Sequence, residues 1–192
     1  MKNTLFASIL ILISTTAFGF TVKENEILIP FDSTSNSYAY IGVVEFDSSA
    51  NYLYQKSKQW LIDKYLNNNF DLDNPKEKLI KKGSFDIVST MNAGMGVKFP
   101  YNYTVNFSIV LEFKDGRYKY TLSNIKLSQN AEGTTTEQSI ENFILSSDEM
   151  GLGKRKMEKF IVQTCNLIHE EFTQFIKEMN SAIQSNNNKN DW

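Results

Sequence analysis

Reactive side chains are scarce in this chain. It holds one cysteine and one histidine among 192 residues. With Cys165 alone there is no internal disulfide, so the fold must be held by its hydrophobic core. With His169 alone there is no multi-histidine metal site. A basic excess is also missing: 20 Lys and Arg stand against 22 Asp and Glu, a net charge of -2. Nucleic-acid binders need surplus cations to neutralise phosphates, so nucleic acid is not an expected partner. The apolar run near the N-terminus falls short of the ~20 residues that cross a bilayer.

That run has another reading. Met1-Lys2-Asn3 is a short positive region, Leu5 to Ile13 is apolar, and Ala17-Phe18-Gly19 puts small residues at the -3 and -1 positions of a cleavage site. Residues 1–19 therefore read as a cleavable secretory signal, with an uncleaved anchor as the alternative. Export to the periplasm or beyond the cell is the expected address, with no stable membrane span once the signal is removed. Loss of Lys2 leaves a net charge of about -3. A lipoprotein is not expected, because it needs a cysteine just after the signal and the one cysteine is Cys165. The expected organisation is a signal over 1–19, an N-terminal extension over 20–37, one α+β domain over 38–184 and a disordered Asn-rich tail over 185–192.

Within the extension, Glu26 to Pro30 suits a short edge strand and Asp32 to Ser37 a polar linker. Tyr38 to Phe46 is rich in β-branched and aromatic residues and reads as the first strand. Asp47-Ser48-Ser49 offers N-caps for a helix reaching about Leu66. On it Leu53, Ser57, Trp60, Leu61 and Lys64 share one side, with Tyr54 and Tyr65 beside it. Asp71 to Pro75 reads as a loop, Lys78 to Val88 as a second strand, and Ser89 to Pro100 as a loop containing Gly94 and Gly96. Ser128 to Gln138 reads as another polar loop. Ile140 to Leu145 suits a strand or a helical turn equally. From Gly153 to Ala182 apolar residues recur at three- and four-residue steps, the stripe of a long amphipathic helix.

The sharpest pattern lies between these elements. Tyr101, Tyr103, Val105, Phe107, Ile109, Leu111 and Phe113 alternate with Asn102, Thr104, Asn106, Ser108, Val110 and Glu112. Asp115-Gly116 follows, a dipeptide suited to a two-residue type I′ hairpin turn. Such a turn sets Lys114 against Arg117, Phe113 against Tyr118, Glu112 against Lys119, Leu111 against Tyr120 and Ile109 against Leu122. Apolar residues then meet apolar ones on one face, and a charge pair forms on the other. The expected fold is a two-layer α+β domain, an antiparallel sheet with two helices on one face.

Candidate chemistry fails on inspection. His169-Glu170 lacks the second histidine of a zinc-protease helix, because Thr173 occupies that position. Cys165 lies one turn before His169, yet it falls on the apolar stripe and reads as a buried structural thiol. Asp71, Asp73 and Asn74 open like a calcium loop, but Lys76 and Lys82 occupy the positions that need glycine and the closing acid. Gly151-Leu152-Gly153-Lys154 has the wrong spacing for a phosphate loop. Lys154-Arg155-Lys156 reads as a solvated run. No catalytic residue, metal ligand or cofactor site is expected. Tyr38, Tyr40, Tyr101, Tyr103, Tyr118 and Tyr120 suit either a sugar- or peptide-binding platform or ordinary sheet packing.

The segment Val110 to Ile125, the helix carrying Trp60, and Lys82-Gly83-Ser84-Phe85 together resemble an exported bacterial domain of unknown function, family 4468, described as TBP-like (TATA-binding-protein-like). The resemblance covers roughly residues 40–130. It implies a curved antiparallel sheet with helices on one face, in β-α-β-β-β-β-α order. It brings no activity and no catalytic residues, and DNA binding does not follow from a fold's name.

The leading functional expectation is a non-enzymatic periplasmic or secreted binding module for an envelope or extracellular ligand. Its ligand face is expected to include Asn102, Thr104, Asn106 and Ser108 with Tyr38 and Tyr40. The rivals are a carboxylate-dependent envelope hydrolase drawing on Glu45, Asp47, Asp86 and Glu112, and a structural envelope component.

Overall fold

A computed structural model describes residues 26–131, 133–146 and 153–185. The signal over 1–19, the first part of the extension and the tail beyond Ser185 lie outside the described residues. In chain order the elements are β1 (Phe31–Asp32), β2 (Ser37–Tyr38), β3 (Tyr40–Glu45), α1 (Ala50–Tyr65), β4 (Leu72–Asn74), β5 (Lys78–Gly94), β6 (Val97–Lys114), β7 (Arg117–Ala131), β8 (Thr134–Ser139), α2 (Ile140–Leu145) and α3 (Lys154–Gln184). The main sheet is antiparallel in the order β3-β7-β6-β5-β4, and β8 pairs with the far half of β7. With the short pieces β1, β2, β4 and α2 set aside, the order is β-α-β-β-β-β-α.

The alternation in β6 sets the layering. Tyr103, Val105, Phe107, Ile109, Leu111 and Phe113 are all buried, and both long helices lie on that side. Phe107 is central: its ring meets Phe172 at 4.8 Å, Phe175 and Phe85 at 5.6 Å. Trp60 of α1 packs edge-on against Phe175 of α3 at 5.1 Å, joining the helices. The short α2 seals one corner, where Phe143 meets Tyr103 and Phe160. Burial of this many large side chains, each worth about 1.5–3 kcal/mol, supplies the stability that disulfides do not.

The hairpin at Asp115-Gly116 has the anticipated register, from Lys114↔Arg117 to Ile109↔Leu122. Its turn differs. A type I′ turn needs positive φ at both central residues, and only Gly116 has it, at 78°. The cause is tertiary. Asp115 turns its carboxylate to accept the Ala50 N–H at 2.8 Å, and the Gly116 N–H donates to the Ser48 carbonyl. The turn thereby caps α1 alongside Ser49, whose hydroxyl accepts from Tyr52. Type I′ signs occur instead at Met95-Gly96, with φ of 51° and 79°.

Three expected loops are paired strand. Ser89 to Pro100 continues β5 and β6 around Met95-Gly96, Ser128 to Gln138 forms the β7–β8 hairpin, and Asp71 to Pro75 contains β4. Polar composition suggested loops, but the register of longer neighbours extends through them. Conversely, residues 26–30 form no strand. Phe31–Asp32 pairs with Ser37–Tyr38 around a turn in which Asp32 accepts from Thr34 and Ser35. Residues 140–145 resolve to helix, with Ser139 as cap.

Candidate functional site

Among the described residues no helix covers the second face of the sheet. The side chains on it form rows that run across the strands, and the registers define them. Ile41 pairs with Thr121, Thr121 with Val110, Val110 with Ile80, and Ile80 with Leu72. One apolar row therefore crosses β3, β7, β6, β5 and β4, broken only by a threonine. Four inter-strand steps make it about 19 Å long. Ile41 is 47% exposed and Leu72 41%; Val43, beside Ile41 on β3, is 58% exposed. Contiguous apolar surface with polar rims marks interaction sites more often than isolated exposed residues do.

The flanking rows are polar and differ in character. On the turn side the row reads Val43, Lys119, Glu112, Lys78. Glu112 sits between two cations, 3.5 Å from Lys78 and 4.0 Å from Lys119. Here a cleft of about 360 Å³ is lined by Val43, Glu112, Lys114, Arg117, Tyr118 and Lys119. Its cations outnumber its one acid, so it favours an anionic group laid over an apolar floor.

On the other side lie Asn102, Thr104, Asn106 and Ser108. All four share the uncovered face, and three donate or accept bonds with neighbouring strands. Thr104 donates to Asp86 at 2.7 Å, Asn106 to Ser128 at 3.0 Å, and Asn124 to Ser108 at 3.2 Å. Ser128 and Lys126 both donate to Glu137, which lowers that carboxyl's pKa. This part of the face is largely self-satisfied.

Tyr38 and Tyr40 do not join these residues. Tyr40 is buried under α3, its ring 4.8 Å from Phe172 and its hydroxyl 3.1 Å from His169 Nδ1. Burial pushes the pKa of its hydroxyl well up. Tyr38 packs on Phe31 at 5.2 Å in the small β1–β2 ribbon. Tyr101, Tyr103, Tyr118 and Tyr120 also point to the helix side, so the tyrosines build the core boundary and not a platform. The reason is parity: each falls in step with Val105, Ile109 or Leu122.

The remaining candidates are separated. Cys165 is fully buried, and burial pushes its thiol up to about 12, so no thiolate is available to pair with His169. Burial lowers the pKa of His169, whose Nε2 lies 3.5 Å from Thr173. Asp86 pairs with Thr104 while Glu112 lies eight residues further along β6, about 26 Å away. Of the four acids considered for hydrolysis, only Glu112 lines the cleft. Among the described residues no group of three His, Cys, Asp or Glu could hold a metal, and no helix is long and apolar enough to cross a membrane.

The cross-strand row was not anticipated. Its members lie on five strands, and only the pairing register brings them together. Val110 interrupting the polar row of β6 was the one signal present.

The family described as "Domain of unknown function (DUF4468) with TBP-like fold" matches residues 40–128. Two crystal structures are similar. A TBP-like protein from Parabacteroides distasonis ATCC 8503 aligns with TM-score 0.54 and 14% identity, over 82% of this chain and 97% of that one. A DUF4468 family protein from Bacteroides ovatus ATCC 8483 aligns with TM-score 0.54 and 15% identity, over 88% and 95%. At such identities the likeness speaks for the fold alone. Among curated proteins nothing matches.

Proposed function

We propose, from the premise that residues 40–128 make this chain a member of the DUF4468 family with a TBP-like fold, that it is an exported, non-enzymatic binding module working through its uncovered sheet face. The observation that carries the reading is the row Ile41–Thr121–Val110–Ile80–Leu72, apolar side chains lying side by side where water would otherwise favour polar ones. Export is supported by the pattern of residues 1–19. The non-enzymatic part rests on the separation of the acids and the burial of Cys165.

The chemistry of the face narrows the ligand. An apolar row bordered by Lys119, Lys78, Lys114 and Arg117 suits an amphipathic partner, apolar along its length with acidic groups on one border. Burying such a row would desolvate roughly five side chains, enough for a weak to moderate interaction once ordering costs are met.

The purified protein is passed over a cell-envelope extract beside an Ile41→Asn/Val110→Asn variant. Retention of a component by the parent and not by the variant, with unchanged circular dichroism, is the expected result. Equal retention by both, or none by either, removes the reading. N-terminal sequencing of the exported protein, with Phe20 expected as first residue, tests the address separately.

A further inference from the structure

Charge on the uncovered face is unevenly placed. The chain as a whole carries -2. The cleft near the Asp115-Gly116 turn is nonetheless lined by three cations, Lys114, Arg117 and Lys119, and one acid, Glu112, which leaves it at +2. The hairpin register creates this excess. Lys114 stands directly opposite Arg117, and like charges so placed repel across the ~5 Å between their Cβ atoms. Lys119 follows two residues along β7 on the same face, ~7 Å further on.

The nearby acids do not relieve this repulsion. The Glu112 carboxylate lies 3.5 Å from Lys78 and 4.0 Å from Lys119. Glu45 stands opposite Arg117 on β3, but among the described residues no ion pair engages Arg117 or Lys114. An anion seated between the two would remove a repulsion that the fold itself leaves standing. The planar fork of Arg117 suits two oxygens of one head group.

The apolar row begins beside that cleft. Val43 lines the cleft, and Ile41, its same-face neighbour on β3, is the first residue of the row. From there the row runs to Leu72, exposed at its two ends and half-buried through Thr121, Val110 and Ile80. It is one side chain wide. Lys119, Glu112 and Lys78 border it on one side, and Ser123, Ser108 and Lys82 on the other. A stripe so narrow gives a bilayer no apolar patch to enter. Most of the cation excess sits at one end, which suits a ligand with one charged head better than a helix with acids spaced along it. An extended hydrocarbon advances ~1.25 Å per carbon, so a row of ~19 Å holds a chain of roughly fifteen carbons.

We propose that the open face binds a single-chain phosphate monoester, with its head in the Lys114–Arg117–Lys119 cleft and its alkyl chain laid from Ile41 towards Leu72. A phosphate monoester carries about -1.5 to -2 near neutral pH, which matches the cleft, whereas a carboxylate would leave one cation in excess. Methylenes laid on the row leave water together with the side chains beneath them. The assignment rests on the binding reading of this face and narrows it from an amphipathic partner to a ligand of one head and one chain.

Calorimetric titration of the purified protein with dodecyl phosphate, kept below its micelle concentration, tests it. Saturable one-to-one binding is expected, roughly tenfold tighter than for octyl phosphate and several-fold tighter than for dodecanoate. Lys114→Gln/Arg117→Gln is expected to bind dodecyl phosphate roughly a hundredfold more weakly. Its circular dichroism should match the parent's, because the change removes two cations that repel. Ile41→Asn/Val110→Asn is expected to lose the preference for dodecyl over octyl phosphate. No binding by the parent, equal affinity for dodecyl phosphate and dodecanoate, or parental affinity in Lys114→Gln/Arg117→Gln overturns the proposal. Envelope-extract retention that needs Ile41 and Val110 but not Lys114 and Arg117 also overturns it, and leaves the binding reading of the face in place. Retention by neither parent nor row variant removes that reading itself.

Discussion

The two faces of β6 come from one strand and obey opposite rules. On the helix side, six consecutive inward residues from Tyr103 to Phe113 are buried and belong to one hydrophobic core shared with both long helices. On the open side, Thr104, Asn106 and Ser108 bond to neighbouring strands, whereas Val110 joins an apolar row. The inward face is a packing problem solved by shape. The outward face is a chemical surface whose character changes halfway along the strand, and that change separates a hydrogen-bonded polar ladder from an apolar row.

The contrast is broken most severely at Phe107. Phe107→Ala empties a site between Phe85, Phe172 and Phe175 and is expected to cost about 3–5 kcal/mol in chemical denaturation. Thr104→Ala on the opposite face should stay within about 0.5 kcal/mol. Comparable losses at both positions would erase the distinction. Gly83→Ala probes the inward face from the other direction. A Cβ there would run into the Tyr65 hydroxyl and come within 2.8 Å of Phe107, so overpacking of about 1–3 kcal/mol is expected. A neutral result would mean that the layer beneath α1 is loose.

Asp115→Ala tests how the two ends of the sheet are tied to the helix layer. It removes the cap on the Ala50 N–H and is expected to cost about 1–2 kcal/mol in thermal or urea unfolding. Leu66→Gly goes the other way. Leu66 ends α1 with φ of 51° and is 90% exposed, so glycine should stabilise by about 1 kcal/mol. The smallest effect is confined to acid. Burial lowers the pKa of His169 below its ordinary 6.5, so the unfolded chain binds the proton first. Stability conferred by the neutral ring is full above the unfolded value and falls as pH drops below it. Unfolding free energies at pH 7 and pH 5 should therefore differ more for the parent than for His169→Gln.

Much of the inward face was legible beforehand. Alternation over 101–113 and the Asp115-Gly116 dipeptide together determine which side chains meet, and Ser49 marks the start of α1 through its short hydroxyl. The turn type was not legible, because Asp115 answers to a helix 65 residues away in sequence. Nor was Lys81, an inward-facing lysine only 2% exposed. Its ammonium donates to the Asn69 carbonyl at 2.8 Å and lies 4.8 Å from the centre of the Phe70 ring. That cage is assembled by a chain reversal that no local pattern announces. The bulge in β7 is similar. Asn124 at φ 54° and Ile125 together stand opposite Phe107, which resets the alternation so that Ile125 and Leu127 stay inward.

The apolar row was invisible for a related reason. Along their own strands Ile80 and Val110 each stand singly between polar same-face neighbours and Ile41 has only Val43 beside it, and only pairing across strands makes them one surface. Methyl-labelled NMR with a soluble paramagnetic probe tests this most directly. Methyl signals of Ile41, Val43, Leu72, Ile80 and Val110 should broaden together, while those of Val105, Ile109 and Leu111 stay sharp. Protected row methyls in the isolated protein, or equal broadening on both faces, would contradict an open sheet face that carries the proposed binding surface.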